Sequence, residues 1–495
     1  MDLTRIITRL GKGSRLTVQE MDGNFEYLRA SYKETTNPSI DWSEATTQKF
    51  NLNEDVVFSF TDAVAGQKLT LLLNQSTGNV EWPTSVKWVN DVVPVLTNDV
   101  KLDTSFVTVT GTGFNNEVYS VVQQTNGKVL VGGYFTEYNG VSAQHIVRLN
   151  LDGSLDTTFD TGTGFNLYGN VYSIVLQSDG KILVGGTFDS YDGQSIGENI
   201  VRLNSDGTLD TTFVTGTGFN NEVSSITLQS DGKILVGGSF GQYNGESVVR
   251  IVRLNTNGSL DTTFITGTGF NGSVFVITLQ SNGKILAGGQ FSEYNSVSIG
   301  ENITRLNSDG TLDTTFVTGT GFNEPVRTIT LQTDGDTFFA ILVGGNFNNY
   351  NGVSTGNCIA RLNSDGTLDD LFDTGTGFNN VVYKITLQTD GKILVGGIFD
   401  QYDGVLLGNE SGSFTRLNYH GSLDTSFVTG TGFNGIVYTI TLQSDGKILV
   451  GGDFYEYNGV SIGNSITRLS QLPNYRVINF YFNGVNYIGE SINQV

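Results

Sequence analysis

A short polar loop recurs along this chain with acidic side chains spaced as a metal site would need them, the clearest copy being Asn204-Ser205-Asp206-Gly207-Thr208-Leu209-Asp210. Calcium is held by several oxygens gathered around a tight glycine turn, and carboxylates at such intervals can supply them. The position that should lead the ligand set, however, is Arg202, with Arg148, Arg253, Arg305, Arg361, Arg416 and Arg468 equivalent to it. A guanidinium cannot coordinate a cation. It points instead to an internal ion pair, from Arg202 to Asp210 or to a neighbouring unit of the chain.

Other chemistry is thinly represented. The two histidines, His145 and His420, fall at non-equivalent places. No His-Glu-x-x-His, phosphate-cradling loop or Gly-x-Ser-x-Gly elbow occurs. The recurrent Gly-Thr-Gly-Phe-Asn precedes a strand pattern, whereas a dinucleotide-binding turn opens a helix. Paired carboxylates for glycoside hydrolysis could be drawn from 49 acidic residues, but almost all recur in every unit, and an active site breaks repeat symmetry. The expectation is a protein that is not an enzyme, with no cofactor and no metal. Tyrosines in Asn/Asp-rich loops are the candidates for ligand contact: Tyr138, Tyr191, Tyr243, Tyr294, Tyr350, Tyr402 and Tyr457. Aromatic faces there could pack on a sugar or a protein. The same residues could equally pack between units while Asn-Gly makes the turns.

Composition limits the partners. The formal charge is −22 and no Lys/Arg run occurs, so phosphate backbones and anionic membranes are repelled. With 64 Gly, 5 Pro and 51 Phe plus Tyr, the chain reads as short strands joined by tight turns. One cysteine, Cys358, leaves no internal disulfide and reads as a small buried apolar residue. The N-terminal residues lack a signal-peptide pattern and no window is apolar enough to span a bilayer, so the expectation is synthesis in a cytoplasm without membrane insertion.

The elements that carry these loops come from a repeat. Leu-Asp-Thr-Thr-Phe or a close variant starts at Leu102, Leu155, Leu209, Leu260, Leu312, Leu368 and Leu423, at intervals of 53, 54, 51, 52, 56 and 55 residues. Within a unit, Val171–Gln177 alternates with period two, placing Val171, Ser173 and Val175 on one face and Tyr172, Ile174 and Leu176 on the other. Ser178-Asp179-Gly180-Lys181 reads as a hairpin turn with positive φ at both central residues. Ile182-Leu183-Val184-Gly185-Gly186 returns as a strand buried on both faces. Ile200–Asn204 makes a third strand and Leu209–Phe213 a fourth. Four antiparallel strands per unit define one propeller blade. The predicted fold is all-β, a seven-bladed propeller over 101–471 whose last blade is completed by the strand 102–106.

These units resemble the delta-sixty repeat, a bacterial propeller family with Leu-Gln-x-Asp-Gly-Lys-Ile, Gly-Gly and Leu-Asp-x-x-Phe in each copy. The resemblance covers about 102–469 and departs in two places, at extra hairpin residues Asp336–Ala340 and where Tyr294-Asn295-Ser296 stands for Tyr-Asn-Gly. It implies the propeller fold and no particular activity.

Outside the repeat, Thr17-Val18-Gln19-Glu20 is a capping box that predicts a helix over about 17–34. Val18, Met21, Phe25 and Leu28 form an apolar seam on it, suited to its own β module, to a parallel bundle or to a partner. Strand patterns follow within 35–100, and Tyr475–Gly489 is a hairpin with an Asn-Gly turn. Gly11-Lys12-Gly13-Ser14-Arg15-Leu16-Thr17 through Met21-Asp22-Gly23-Asn24-Phe25-Glu26-Tyr27-Leu28 resembles the opening of tailed-phage fibre and virion proteins. Trp82-Pro83-Thr84-Ser85-Val86-Lys87-Trp88 resembles a phrase of β modules in such proteins, where an aromatic Asn-Gly hairpin follows directly. Here that hairpin lies at 475–489. The expected organisation is an attachment segment 1–34, a split β module 35–100 plus 472–495, and a propeller inserted in it.

The resemblance implies a bacteriophage virion protein, a tail fibre or receptor-binding appendage. Its partners would be other virion proteins and a host cell-surface glycan or protein, and it would form a homo-oligomer, a trimer by preference. No nucleic acid is expected as partner. The alternatives are a head or tail decoration protein, a bacterial surface adhesin, or a polysaccharide-degrading enzyme.

Overall fold

The computed structural model describes residues 100–106, 112–166, 168–334, 337–408 and 413–471, together with strand segments within 39–99 and 475–492. The predicted helix over about 17–34 and its seam Val18, Met21, Phe25 and Leu28 lie outside the described residues. The chain divides into two compact bodies, Lys101–Asp424 with Thr429–Ser470, and Met1–Val100 with Thr425–Val428 and Gln471–Val495. Among the described residues every regular element is a strand.

In the repeat body each unit opens with three antiparallel strands. In the second unit these are Asn170–Leu176, Ile182–Thr187 and Ile200–Leu203, with the middle one hydrogen-bonded to both others. The same order recurs through the seventh unit, Ile436–Leu442, Ile448–Asp453 and Ile466–Gln471. The fourth strand is very short. Leu209 bridges Leu203 and Asp210 N donates to Arg202 O at 2.9 Å, after which the chain turns. The cause is local: Asp210 Oδ1 accepts Thr212 N at 3.1 Å and Thr212 Oγ1 at 2.6 Å, an Asx turn that ends the ladder.

Two turn types alternate along the unit. The Ser178-Asp179-Gly180 turn departs from the expectation, since only Gly180, at φ 85°, takes the left-handed region. Gly180 N donates to Gln177 O at 3.0 Å and Gln177 N to Lys181 O at 2.9 Å, which is a type I turn closed by a glycine bulge. The turn with two left-handed residues is Asp192-Gly193, at φ 48° and 67°. It joins a two-residue ribbon, Ser190–Tyr191 with Gln194–Ser195, in a stretch read from sequence as a loop. The extra residues of the fifth unit lengthen its hairpin, Val326–Asp334 with Thr337–Gly345.

Strict alternation fails in the first strand. A bulge between Val171 and Ser173 leaves Tyr172 outside the register. Val171 therefore shares a face with Ile174 and both approach Gly132 of the preceding unit, where an added Cβ would meet Val171 Cγ1 at 2.4 Å. That clearance requires the first glycine of each Gly-Gly pair, and the second lies against the backbone of its own unit's first strand, where a Cβ on Gly133 would meet Glu117 O at 2.1 Å.

The core lies between units. Leu130 and Ile146 of the first pack with Val171, Ile174, Ile182 and Val184 of the second. Leu449 and Ile466 of the seventh share a cluster with Val118, Val121 and Val131 of the first. First strands of adjacent units also touch directly: Thr227 Oγ1 donates to Ile277 O at 2.9 Å, and Thr441 Oγ1 to Val121 O at 2.6 Å.

In the other body, one five-stranded sheet has the order Thr47–Leu52, Lys68–Gln75, Tyr475–Phe482, Tyr487–Ile492, Val86–Trp88. The C-terminal hairpin thus stands between strands from before the repeat, antiparallel to Lys68–Gln75 and parallel to Val86–Trp88.

Candidate functional site

The recurrent acidic loop is built around ion pairs. Arg202 Nε lies 2.6 Å and Lys181 Nζ 2.7 Å from Asp210 Oδ2. Arg202 Nη1 reaches the next unit and donates to Thr256 O at 2.6 Å, while its guanidinium covers the Phe213 ring at 4.7 Å. Both destinations suggested by sequence, the aspartate and the neighbouring unit, are therefore served by one side chain. Burial alone would raise the Asp210 carboxyl, but hydrogen bonds from Lys181, Thr212 and Arg202 outweigh it and hold it well below the usual carboxylate range. Arg468 repeats the pattern with Asp103 Oδ2 at 2.7 Å and with Leu151 O of the first unit at 2.7 Å. A cation occupies the place a metal would need. Among the described residues no group of three or more His, Cys, Asp or Glu side chains is arranged for a metal.

The seven candidate tyrosines are not ligand-facing. Tyr138, Tyr191, Tyr243, Tyr294, Tyr350, Tyr402 and Tyr457 are each at most 2% exposed. The hydroxyls of Tyr138, Tyr191, Tyr243 and Tyr294 donate at 2.5 Å to the carbonyls of Gly153, Gly207, Gly258 and Gly310, and those of Tyr350 and Tyr402 reach Gly366 and Gly421. Each ring also packs on the phenylalanine of Gly-Thr-Gly-Phe, Tyr191 on Phe165 at 4.8 Å between centroids. The two-residue ribbon turns the tyrosine inward, so an aromatic that looks like a loop residue in sequence belongs to the core.

The units differ elsewhere. Every first strand has a valine as its first or second residue, from Val118 to Val437, and the residue after it is the one freed by the bulge. In chain order it is Tyr119, Tyr172, Ser224, Phe275, Arg327, Tyr383 and Tyr438. These side chains meet one another: Tyr119 lies 5.3 Å from Tyr172 and 5.2 Å from Tyr438, and Tyr383 lies 5.1 Å from Tyr438. Arg327 stands over Phe275 at 4.3 Å. The residue after each Gly-Gly pair also differs in all seven units, from Tyr134 and Thr187 to Ile398 and Asp453. It adjoins the start of the first strand, as Tyr134 N donates to Glu117 O and Ser239 N to Glu222 O, both at 3.0 Å. Between the fourth and fifth units a cavity of about 290 Å³ opens among Asn271, Gln290, Ser292, Glu301, Asn323 and Glu324. Sequence reasoning missed this end of the first strands, yet a column-by-column comparison of the units would have found it.

Seven interlocked units of this construction define a β-propeller repeat protein. The family described as "Domain of unknown function (DUF5122) beta-propeller" matches residues 124–159, 177–213, 229–264, 280–316, 341–372, 388–427 and 443–464. No curated protein matches the chain. Solved structures of similar fold include the extracellular domain of BT4673 from B. thetaiotaomicron, at 15% identity and TM-score 0.42 over 77% of this chain and 41% of that one. A second is the C-terminal WD40 domain of Sif2, at 12% identity and TM-score 0.39, covering 78% of this chain and 97% of that one. The chain thus spans well under two thirds of the BT4673 domain, and likenesses this distant carry no functional argument.

Proposed function

We propose that this chain is a structural protein of a bacteriophage virion, a tail fibre or receptor-binding appendage that uses a propeller as a non-enzymatic binding platform. The observation that carries the reading is where near-identical units differ. Their cores, turns and Arg–Asp pairs are repeated, while the bulged residue of the first strand is tyrosine in four units and serine, phenylalanine or arginine in the others, and the residue after Gly-Gly differs in every unit. Variable residues carried at equivalent places of a repeated scaffold are one way a rigid fold presents a binding surface. The ring is closed by residues 102–106, a reading supported by Arg468 on Asp103 at 2.7 Å and Thr441 on Val121 at 2.6 Å. Strands from both ends of the chain sharing one sheet support a propeller inserted into a split module. That module and the segment 1–34 hold the chain on the particle, as a trimer.

The test is immunogold labelling of particles banded from a lysate of the host bacterium, with antibody to residues 101–471. Label on tail appendages supports the reading. Label on capsids indicates a decoration protein, and label confined to the cell envelope an adhesin, and either outcome overturns the receptor-binding assignment. Light scattering of the full-length chain should give three times the 53.4 kDa chain mass. Phe25→Asp should release monomers, and a monomeric parent would remove the trimer.

A further inference from the structure

The ring of bulged residues is not uniform. Four consecutive units, the sixth, seventh, first and second, contribute Tyr383, Tyr438, Tyr119 and Tyr172, which form an unbroken run of touching rings. Further tyrosines of the same units are exposed near the strand starts: Tyr134 at 36%, Tyr168 at 81% and Tyr455 at 59%. Tyr168 rides on a loop two residues longer than its counterparts, Asn166–Asn170 against Asn115–Glu117.

This sector is also negative. The Glu117 carboxylate acts on Tyr119, Tyr172 and Tyr438, and Asp453 acts on Tyr119 and Tyr438. Glu117 Oε2 is buried without a hydrogen-bond partner. Burial first, then the neighbouring phenol Tyr383 and the Glu117 and Asp453 carboxylates, push the Tyr438 hydroxyl up to about 12. The nearest cation in sequence, Lys384, occupies the next strand position, where Ser120 and Ser173 reach the following unit's backbone, and burial lowers its pKa. Elsewhere in the ring the molecule shows what such a surface accepts. Arg327, the single cation among the seven bulged residues, lies over the Phe275 ring at 4.3 Å.

We infer that the tyrosine sector formed by Tyr119, Tyr172, Tyr383 and Tyr438, with Glu117 and Asp453 at its edge, captures a lysine or arginine side chain of a protein partner. The inference rests on reading the propeller as a binding platform, and it names the group bound. Electron-rich ring faces attract a cation, and a carboxylate at their edge adds charge pairing. A neutral sugar would use the ring faces but gain nothing from the unpaired carboxylate.

The probe is an acetyl-capped tetralysine peptide, with its fully Nε-acetylated form as control, titrated calorimetrically into the full chain. Tetralysine should bind and the acetylated form should not. Tyr119→Leu and Glu117→Gln should each weaken binding about fivefold or more, while Tyr119→Phe, which keeps the ring face, stays near the parent. Glu246→Gln, an equal loss of charge on an exposed outer ribbon, should leave affinity unchanged. Circular dichroism melts confirm that each variant is folded. If Glu246→Gln weakens binding as much as Glu117→Gln, the attraction is the diffuse charge of the chain and the site is overturned. If a neutral gluco-oligosaccharide binds and tetralysine does not, the sector is a sugar platform and the inference is wrong. A ring that captures lysine but is absent from virions would sink the virion reading alone.

Discussion

Replacing Asp210 by asparagine keeps the shape of the side chain and removes the charge on which three elements converge. Its Oδ2 takes Arg202 at 2.6 Å and Lys181 at 2.7 Å, and its Oδ1 takes both groups of Thr212. The asparagine oxygen can retain Thr212, but its amide then faces two cations. Lys181 is 28% exposed and can turn to water, so its share is small, roughly 0–1 kcal/mol. Arg202 is 8% exposed, held on Thr256 O and stacked on Phe213, and has no such escape. Leaving one partner of a buried pair without the other costs about 3–5 kcal/mol. Since the guanidinium keeps its bond to the next unit, we place Asp210→Asn at the lower end, about 3 kcal/mol. Urea unfolding followed by circular dichroism measures it, with Lys181→Met as the exposed-partner control. The double variant Arg202→Met with Asp210→Asn should recover part of the loss, because no uncompensated charge remains. A cost below about 1 kcal/mol for Asp210→Asn, or an equal cost for Lys181→Met, would refute the claim that the buried arginine pair holds adjacent units together.

Three further outcomes follow from other features. Ser296 sits at φ 59° where six units have glycine, so Ser296→Gly should stabilise by about 1 kcal/mol, less a small loss of its exposed contact to Thr268; an unchanged or lower urea midpoint counts against backbone strain there. The carboxyls of Asp103, Asp156, Asp210, Asp261 and Asp313 are all depressed in the folded chain. Their contribution is complete at neutral pH and is lost as pH falls below about 4, the unfolded carboxylate range, so urea midpoints should drop there and drop less steeply in Asp210→Asn. Parallel pH profiles for the two proteins would contradict this. Burial pushes the Cys358 thiol up to about 12, so iodoacetamide at pH 8 should label it only in urea, and rapid native labelling would show that the fifth and sixth units part.

Much of the repeat body was legible because its causes are local. Leu-Asp-Thr-Thr-Phe at near-constant intervals counts the units, period-two alternation marks strands, and Asp-Gly marks the turn whatever its subtype. The role of Arg202 was legible too, since charge type alone decides that a guanidinium opposite Asp210 makes a pair and not a metal ligand. The helix seam Val18, Met21, Phe25 and Leu28 rests on sequence alone. For the tyrosines the sequence left two readings, ligand contact and packing, and the structure takes the packing one. Tyr191 lies between Asp and Asn-rich turns and reads as a loop residue, but a two-residue ribbon directs it to Gly207, sixteen residues on. Alternation also misplaced Tyr172, putting it on one face with Ile174 and Leu176, where a bulge in fact takes it out of the register.

What the sequence by itself determined is the number of units and the identity and order of the three ladder strands in each, because hydrophobic period and turn chemistry act over a few residues. What the tertiary structure alone decided is which aromatics are buried and which meet at the start of the first strands. A bulge shifts each residue after the leading valine out of its ladder, and only the packing of one unit on the next brings Tyr119, Tyr172 and Tyr438 within touching distance. Contacts between residues a whole unit or the whole ring apart depend on the sum of many weak packing choices, and no local pattern in the chain records that sum.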